Sequence, residues 1–449
     1  MAELRNFGPF AAESGGTPFR GVVLSILMTF LLSGALPYAF LFFGSLAWLY
    51  WVMVIGVLFL FAIELPKGRL LRPLVPYLAW LCFYLIWGLI VSPDTDWTFA
   101  LRTLGTTLIL GMSMAALTAR PQYLRTLATV AQFAVIGNLV VLLFMVRSPA
   151  FAHLVDMMSP DAGRFELGVS RFGGLWGNPN MAGYVCLVVI ILSVFARPLI
   201  AWIGRLGCLP LLYLTASRKS VLLFLLICFT YLVMVQRRNL KAWLGVTVTA
   251  MILAMVFTVS SGLQDTSRRA ASDRRVSRLL DLTESETRAI GGVTRVDLFH
   301  DWVGKLPEEP WYGYGLQAMA GPFLDPKNPD RMLRPGLLPV GTHNTYLGVL
   351  IDTGPVGLIA FLAMLFYYAK ATVLFPGPPT FRWALVSLLL CNLIILVVSH
   401  SHLFSFEGKC AFLLFFLLPG CPGLREACGW PTRLSRAAPF PFMPTPVPK

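Results

Sequence analysis

The chain has 449 residues, 57% of them apolar and only 13% charged, with a mean hydropathy of +0.71. A soluble domain is about a quarter charged, so this composition excludes an ordinary soluble enzyme and predicts an all-α polytopic membrane protein. The net charge of +14 is therefore not a nucleic-acid signal, and no nucleic-acid partner is expected.

Apolar runs of about 20 residues, the length of a membrane-crossing helix, recur along the chain. They predict about twelve spans, near 21–38, 40–63, 73–92, 99–118, 124–146, 180–196, 199–216, 220–236, 242–261, 344–371, 381–399 and 408–423. The first two are poorly separated. The apolar region starts late and runs into a second span, unlike a cleavable signal peptide. No repeat of 20–50 residues is found. The expected organisation is spans one to nine over 1–261, with a loop near 147–179; a large loop over 262–343; spans ten to twelve over 344–423; and a tail over 424–449 that ends in the Pro-rich 437 AAPFPFMPTPVPK 449.

With the N-terminus in the cytoplasm, alternate turns carry Lys67, Arg69 and Arg72; Arg120 and Arg125; Arg197; Arg237, Arg238 and Lys241; Lys370 and Arg382; and the tail carries Arg425, Arg433 and Arg436. The other side has the acidic 92 SPDTDW 97 and the two long loops, the second with eleven Lys/Arg and eleven Asp/Glu. Short basic turns on one side and long balanced loops on the other follow the positive-inside rule. Both termini are thereby expected in the cytoplasm. None of the eight cysteines lies in the two long loops, so no disulfide framework is expected there.

One turn breaks the charge rule. The stretch 214 LTASRKSVLL 223 puts Arg218 and Lys219 in a short outer turn between spans seven and eight. Ionisable groups at helix ends in membranes are costly unless they snorkel, pair or face a wet cavity. Two readings fit: snorkelling to headgroups, or a binding site for a polyanion, since Arg presents a planar fork of donors matched to phosphate. Other outer residues could join the second. Arg164 precedes, and Arg171, Asn178 and Asn180 lie within, 165 FELGVSRFGGLWGNPNMAG 183; the asparagines fit sugar binding or turn formation. Arg295 lies in 291 GGVTRVDLFHDW 302, facing either a groove or an ion pair with Asp297 or Asp301. The run 268 RRAASDRRVSRLL 280 reads as a solvated charge run or as an amphipathic helix on the membrane face.

His343, one of five histidines, stands with Asn344 at the outer lip of span ten in 339 PVGTHNTYLGVLIDTGPVGLIAFL 362. A free imidazole titrates near ~6.5. A helix N-terminus and nearby arginines would keep it neutral and able to act as a general base. The other reading is a helix cap or interface residue. His400 and His402 sit on the same face, and His300 and His153 are weaker candidates.

Four pieces, in order, give the chain a family resemblance: RFGGLWGNPNMAGY (171–184), TASRKS (215–220), TRVDLFHDWVGKLPEEPWYGYGLQ (294–317) and THNTYLGVLIDTGPVG (342–357). They resemble the O-antigen ligase and polymerase superfamily of bacterial inner-membrane glycosyltransferases, with its arginine helix, its P-x-x-G-x-G segment and its His-Asn signature followed by a glycine. The resemblance implies a helical membrane domain with a mostly helical periplasmic region, related in architecture to the GT-C enzymes. It implies transfer of a polysaccharide from undecaprenyl pyrophosphate to lipid A–core, with inversion, no cofactor and no metal. The expected partners are that lipid-linked glycan donor, the lipid A–core acceptor and membrane lipids. The expected catalytic residues are His343, Arg218 and Arg295. Arg171, Arg164, Lys219, Asn344, Asn178 and Asn180 are expected to hold substrate.

Two short motifs mislead. Asp352-Thr353-Gly354 looks like an aspartic-protease loop, but that chemistry needs two carboxylates sharing a proton, and the triplet lies within span ten. Asp94-Thr95-Asp96 could hold a metal, though two carboxylates in a tight turn are more commonly just solvated. Three readings remain: the ligase; a sister polymerase or protein oligosaccharyltransferase with the same donor; and a lipid-linked sugar transporter. The sparse charges away from span ends, mainly Arg102, Arg205 and Asp352, argue against a charged transport path.

Overall fold

The computed structural model describes Ile55 and residues 71–91, 97–147, 179–215, 217–236, 303–304, 311–316, 344–398 and 406–428. Among these residues all regular structure is helical. A 3-10 turn (Arg72–Leu74) leads into α1 (Val75–Val91), followed by α2 (Trp97–Thr118), α3 (Pro121–Arg147), α4 (Pro179–Leu192), α5 (Pro198–Thr215) and α6 (Arg218–Met234). Then come α7 (Thr345–Val373), α8 (Pro379–Val398), α9 (Phe406–Leu417), a 3-10 turn (Leu418–Gly420) and α10 (Pro422–Ala427). Five of these begin on proline: α3, α4, α5, α8 and α10. Proline's fixed φ suits the first helical position, and its missing N–H would have had no helical partner there.

The expected spans at 21–38, 40–63 and 242–261 lie outside the described residues, Ile55 apart; each of the others meets a helix. Among the described residues, five helical stretches are long and apolar enough to cross a membrane: Arg72–Val91, Pro121–Val140, Pro198–Thr215, Thr345–Val373 and Pro379–Val397. The apolar stretches Thr103–Thr118, Ala182–Leu192 and Lys219–Met234 are shorter. The chain is a multi-pass membrane protein. One boundary differs from expectation. Over the span near 408–423, α9 ends at Leu417 and gives way to the 3-10 turn at Leu418–Gly420 and then to α10, with Pro419 and Pro422 at the junctions. Its residues Phe412–Leu417 are 1% exposed or less, and it packs against α2, α8 and α4 in the centre of the body.

Packing between helices in lipid relies on close fit and polar contacts rather than on a hydrophobic drive. Both are visible. On α5, Ala201, Cys208 and Leu211 face inward, whereas Leu199, Trp202, Leu206 and Tyr213 are exposed and suited to lipid contact. Gly204 of α5 lies under the Gln132 side chain of α3, whose Nε2 donates to the Val189 carbonyl of α4 at 3.0 Å. Tyr368 of α7 stacks on Phe416 of α9 with centroids 4.1 Å apart and donates to the Pro73 carbonyl at 2.6 Å.

The up-and-down connectivity sorts the helix ends. One end of the body gathers Arg72, Arg120, Arg125, Arg197, Lys370, Arg382 and Arg425. There Gly420 lies against Pro73, and Gly423 against the Thr118 and Arg120 carbonyls. The opposite end gathers the C-termini of α1, α5 and α8 with the N-termini of α2, α4, α6 and α7. We call these the basic end and the far end.

Candidate active site

The far end holds the described members of the expected site. In the α5–α6 turn, Ser217 is extended, and its carbonyl accepts from the Ser220 and Val221 amides at 3.0 and 3.1 Å. Ser220 Oγ donates to Ser217 Oγ at 2.9 Å. Thr215, Ser217 and Ser220 are all buried. Gly183 of α4 packs directly on them; a Cβ there would lie 2.8 Å from Ser220 Cβ and 3.3 Å from Thr215 Oγ1. The first two residues of α6 are Arg218 and Lys219, and Lys219 is half-buried. Two cations in a first helical turn oppose the macrodipole. Helix stability does not explain them, whereas an anion bound there would be favoured by charge and dipole together.

Asn180 is half-buried in the first turn of α4. One turn further on, Tyr184 Oη donates to Asn392 Oδ1 of α8 at 2.9 Å. Asn344 is the N-cap of α7: its Oδ1 accepts from the Leu347 amide at 3.1 Å, and its carbonyl accepts from the Gly348 amide at 2.9 Å. Such a cap contributes about 1 kcal/mol and anchors the start of α7. Tyr346 Oη then donates to the Leu393 carbonyl at 3.3 Å. Adjacent residues of α8, 392 and 393, therefore tie α4 and α7 together. Asn180 and Asn344 each lie within about a turn of those ties. His343, Arg295, Arg171, Arg164 and Asn178 lie outside the described residues, as do Asp94 and Asp96; of Arg218 only the backbone is described.

A second feature of this end was not expected. Helix α7 is broken at Gly354, which has φ 67° and ψ −174°. Pro355 has no amide hydrogen, so the Ile351 carbonyl loses its helical partner. The turn at Gly354 leads the chain away from the Asp352 carbonyl as well. Both carbonyls are satisfied from elsewhere in the chain: Tyr314 N donates to Ile351 O at 2.8 Å, and Gly315 N donates to Asp352 O at 2.9 Å. The segment Trp311–Leu316 thus lies in the break. It is fastened on its other side to α1, where Trp87 Nε1 donates to the Tyr312 carbonyl at 3.0 Å and Leu316 N to the Gly88 carbonyl at 3.4 Å. Gly313, at φ 81°, passes so close to α7 that a Cβ would lie 2.7 Å from Asp352 backbone atoms. The Asp352 side chain, 6% exposed, accepts a hydrogen bond at Oδ2 from Tyr84 Oη of α1.

Residues 205–362 match the family model described as O-antigen ligase. That stretch is similar to the O-antigen ligase superfamily. Its members are glycosyltransferase-like ligases and polymerases that work with lipid-linked glycans in a membrane. No curated protein sequence matches the chain. The ligase-family region contains the TASRKS turn, the stretch around Arg295, the Trp311–Leu316 segment and the start of α7 through its break. Of the four motif pieces, only RFGGLWGNPNMAGY lies upstream of it, and the contact of Gly183 with Ser220 and Thr215 brings that piece onto the matched region.

Reading the sequence missed Tyr84 and the structural role of Asp352. It treated Asp-Thr-Gly as part of an unbroken span. The signal was present in the pair Gly354-Pro355, because a residue before proline is driven out of the helical region and glycine can then take a positive φ.

Proposed function

We propose that the protein is an O-antigen ligase of the bacterial inner membrane. It transfers O-antigen polysaccharide from undecaprenyl pyrophosphate to a sugar of lipid A–core at the periplasmic face. The family match over residues 205–362 carries this reading. Two further observations support it: Arg218 and Lys219 stand against the helix dipole at the end opposite the seven basic residues, and Asn344, next to His343 in sequence, caps α7 at that same end.

The chemistry suits these groups. The pyrophosphate gains negative charge as the anomeric C–O bond breaks. Fixed guanidinium donors on Arg218 and Arg295 stabilise that charge in the transition state, helped by Lys219 and by Arg171 and Arg164 from the 147–179 loop. His343 takes the proton of, or orients, the acceptor hydroxyl, which attacks the face opposite the leaving group and inverts the anomeric centre. A general base contributes typically 10²–10⁴-fold, so charge stabilisation and positioning supply the rest. Asn344, Asn180 and Asn178 are placed in sequence to contact sugar hydroxyls. The reaction is metal-independent on this reading, because the arginines take the role of the cation.

The test is reconstituted transfer. Purified protein is given undecaprenyl-pyrophosphate glycan and, separately, lipid A–core, a second donor molecule or an acceptor protein. Product on lipid A–core, lost in His343→Ala, is expected. Product only on the second donor or on protein would keep the chemistry and replace the ligase by a polymerase or a protein glycosyltransferase. No transfer to any acceptor would turn the reading towards a transporter.

A further inference from the structure

We propose that Asp352 and Tyr84 form a latch that positions the glycosyl-transfer site by holding the Trp311–Leu316 segment in the break of α7; the link to transfer rests on the function proposed above. An acidic side chain within a membrane span is costly, and helix formation gains nothing from one. Asp352 nevertheless lies buried in α7. Its two functional groups point to one task. Its backbone carbonyl accepts from Gly315 N, and its carboxylate accepts from Tyr84 Oη on α1. Trp87 and Gly88, on the same helix as Tyr84, grip Tyr312 and Leu316 from the other side. The carboxylate–phenol bond therefore clamps α1 to α7 at the level where both hold the segment. Trp80 stacks on Tyr84 at 5.4 Å and packs on Phe361 at 4.7 Å, which steadies the phenol between the two helices.

The consequence follows from chain order. The segment lies in the chain between Arg295 and the start of α7. Holding it between α1 and α7 fixes these two helices relative to each other below the α7 N-terminus. Asp352 and Tyr84 lie below that N-terminus and act through the segment, so they are positioning residues.

The experiment has a readout that needs no substrate. Hydrogen exchange of the peptide containing Tyr314 and Gly315 is measured on the full-length protein in nanodiscs. In the wild type these amides are expected to be protected. Asp352→Ala and Tyr84→Phe are each expected to speed their exchange about tenfold or more, as for loss of a hydrogen bond to a charged group, and the double variant to add little. Asp352→Asn keeps an acceptor for the phenol and is expected to restore protection. Tyr84→Phe, which removes a single oxygen, serves if Asp352→Ala does not fold. Unchanged exchange in Tyr84→Phe would overturn the latch. In the transfer assay the same variants should lower kcat about tenfold and leave the acceptor KM within about twofold, the pattern of lost positioning. Faster exchange with unchanged kcat would overturn the positioning role. A wild type that transfers nothing would count against the ligase reading, and the exchange result would still decide the latch.

Discussion

The two ends of this helical body are held together by different means. At the basic end, side chains do the joining: Tyr368 stacks on Phe416, Tyr77 packs on Phe416 at 4.7 Å, and Tyr368 Oη donates to Pro73. At the far end, the backbone does much of it: the Trp311–Leu316 amides fill the break in α7, with Gly313 and Gly354 both at positive φ. Aromatic packing contributes about 0.5–1.5 kcal/mol per pair beyond burial and tolerates replacements of similar volume. A backbone docked against a backbone tolerates no added atom. The described parts of the family-matched motifs lie at the less tolerant end, which is where a reaction needing fixed geometry would be placed.

This contrast can be broken or sharpened by experiment. The largest effect expected is from His343→Ala, a loss of about 10²–10⁴-fold in transfer with the protein still inserted and monodisperse by size-exclusion chromatography. Full activity in that variant would remove the far end's claim to the chemistry. Arg218→Lys should come next, with kcat/KM down by roughly tenfold or more, because an ammonium cannot reproduce the bidentate fork; wild-type kinetics would mean that this side chain does not read phosphate. Gly313→Ala should lower both activity and detergent melting temperature. The new Cβ meets α7 backbone at 2.7 Å, and a non-glycine residue at that φ costs about 1–3 kcal/mol. Equal tolerance of Gly313→Ala and of a basic-end substitution would erase the distinction.

At the basic end, Tyr368→Phe keeps the stack and loses one hydrogen bond. It should cost about 1 kcal/mol of stability, read as a small drop in melting temperature, and leave transfer within about twofold. The smallest effect concerns Cys428, just past α10, whose thiol burial pushes up to about 11. Its reactive thiolate should therefore be scarce at pH 7, and labelling by iodoacetamide, followed by mass spectrometry of its peptide, should rise about tenfold per pH unit towards that value. Rapid labelling at neutral pH would show that the basic end is looser than its packing suggests.

Sequence alone determined the membrane class, because apolar runs of span length leave no other solvent for those helices. It placed helices over 73–92, 99–118, 124–146, 180–196, 199–216, 220–236, 344–371 and 381–399, and each meets one, because an apolar run of span length is a local signal. It also read the superfamily from short motifs whose order survives any change in packing. It saw that Arg218 and Lys219 were out of place, because a charge asymmetry needs only topology to be noticed. It did not foresee that the end of α9 is buried, that adjacent residues of α8 tie α4 to α7, or that Asp352 reaches Tyr84. Those facts depend on partners far away in the chain. A carbonyl freed by Gly354-Pro355 shows in the sequence as a gap, but which amides fill it is decided only when α1, α7 and the Trp311–Leu316 segment come together in space.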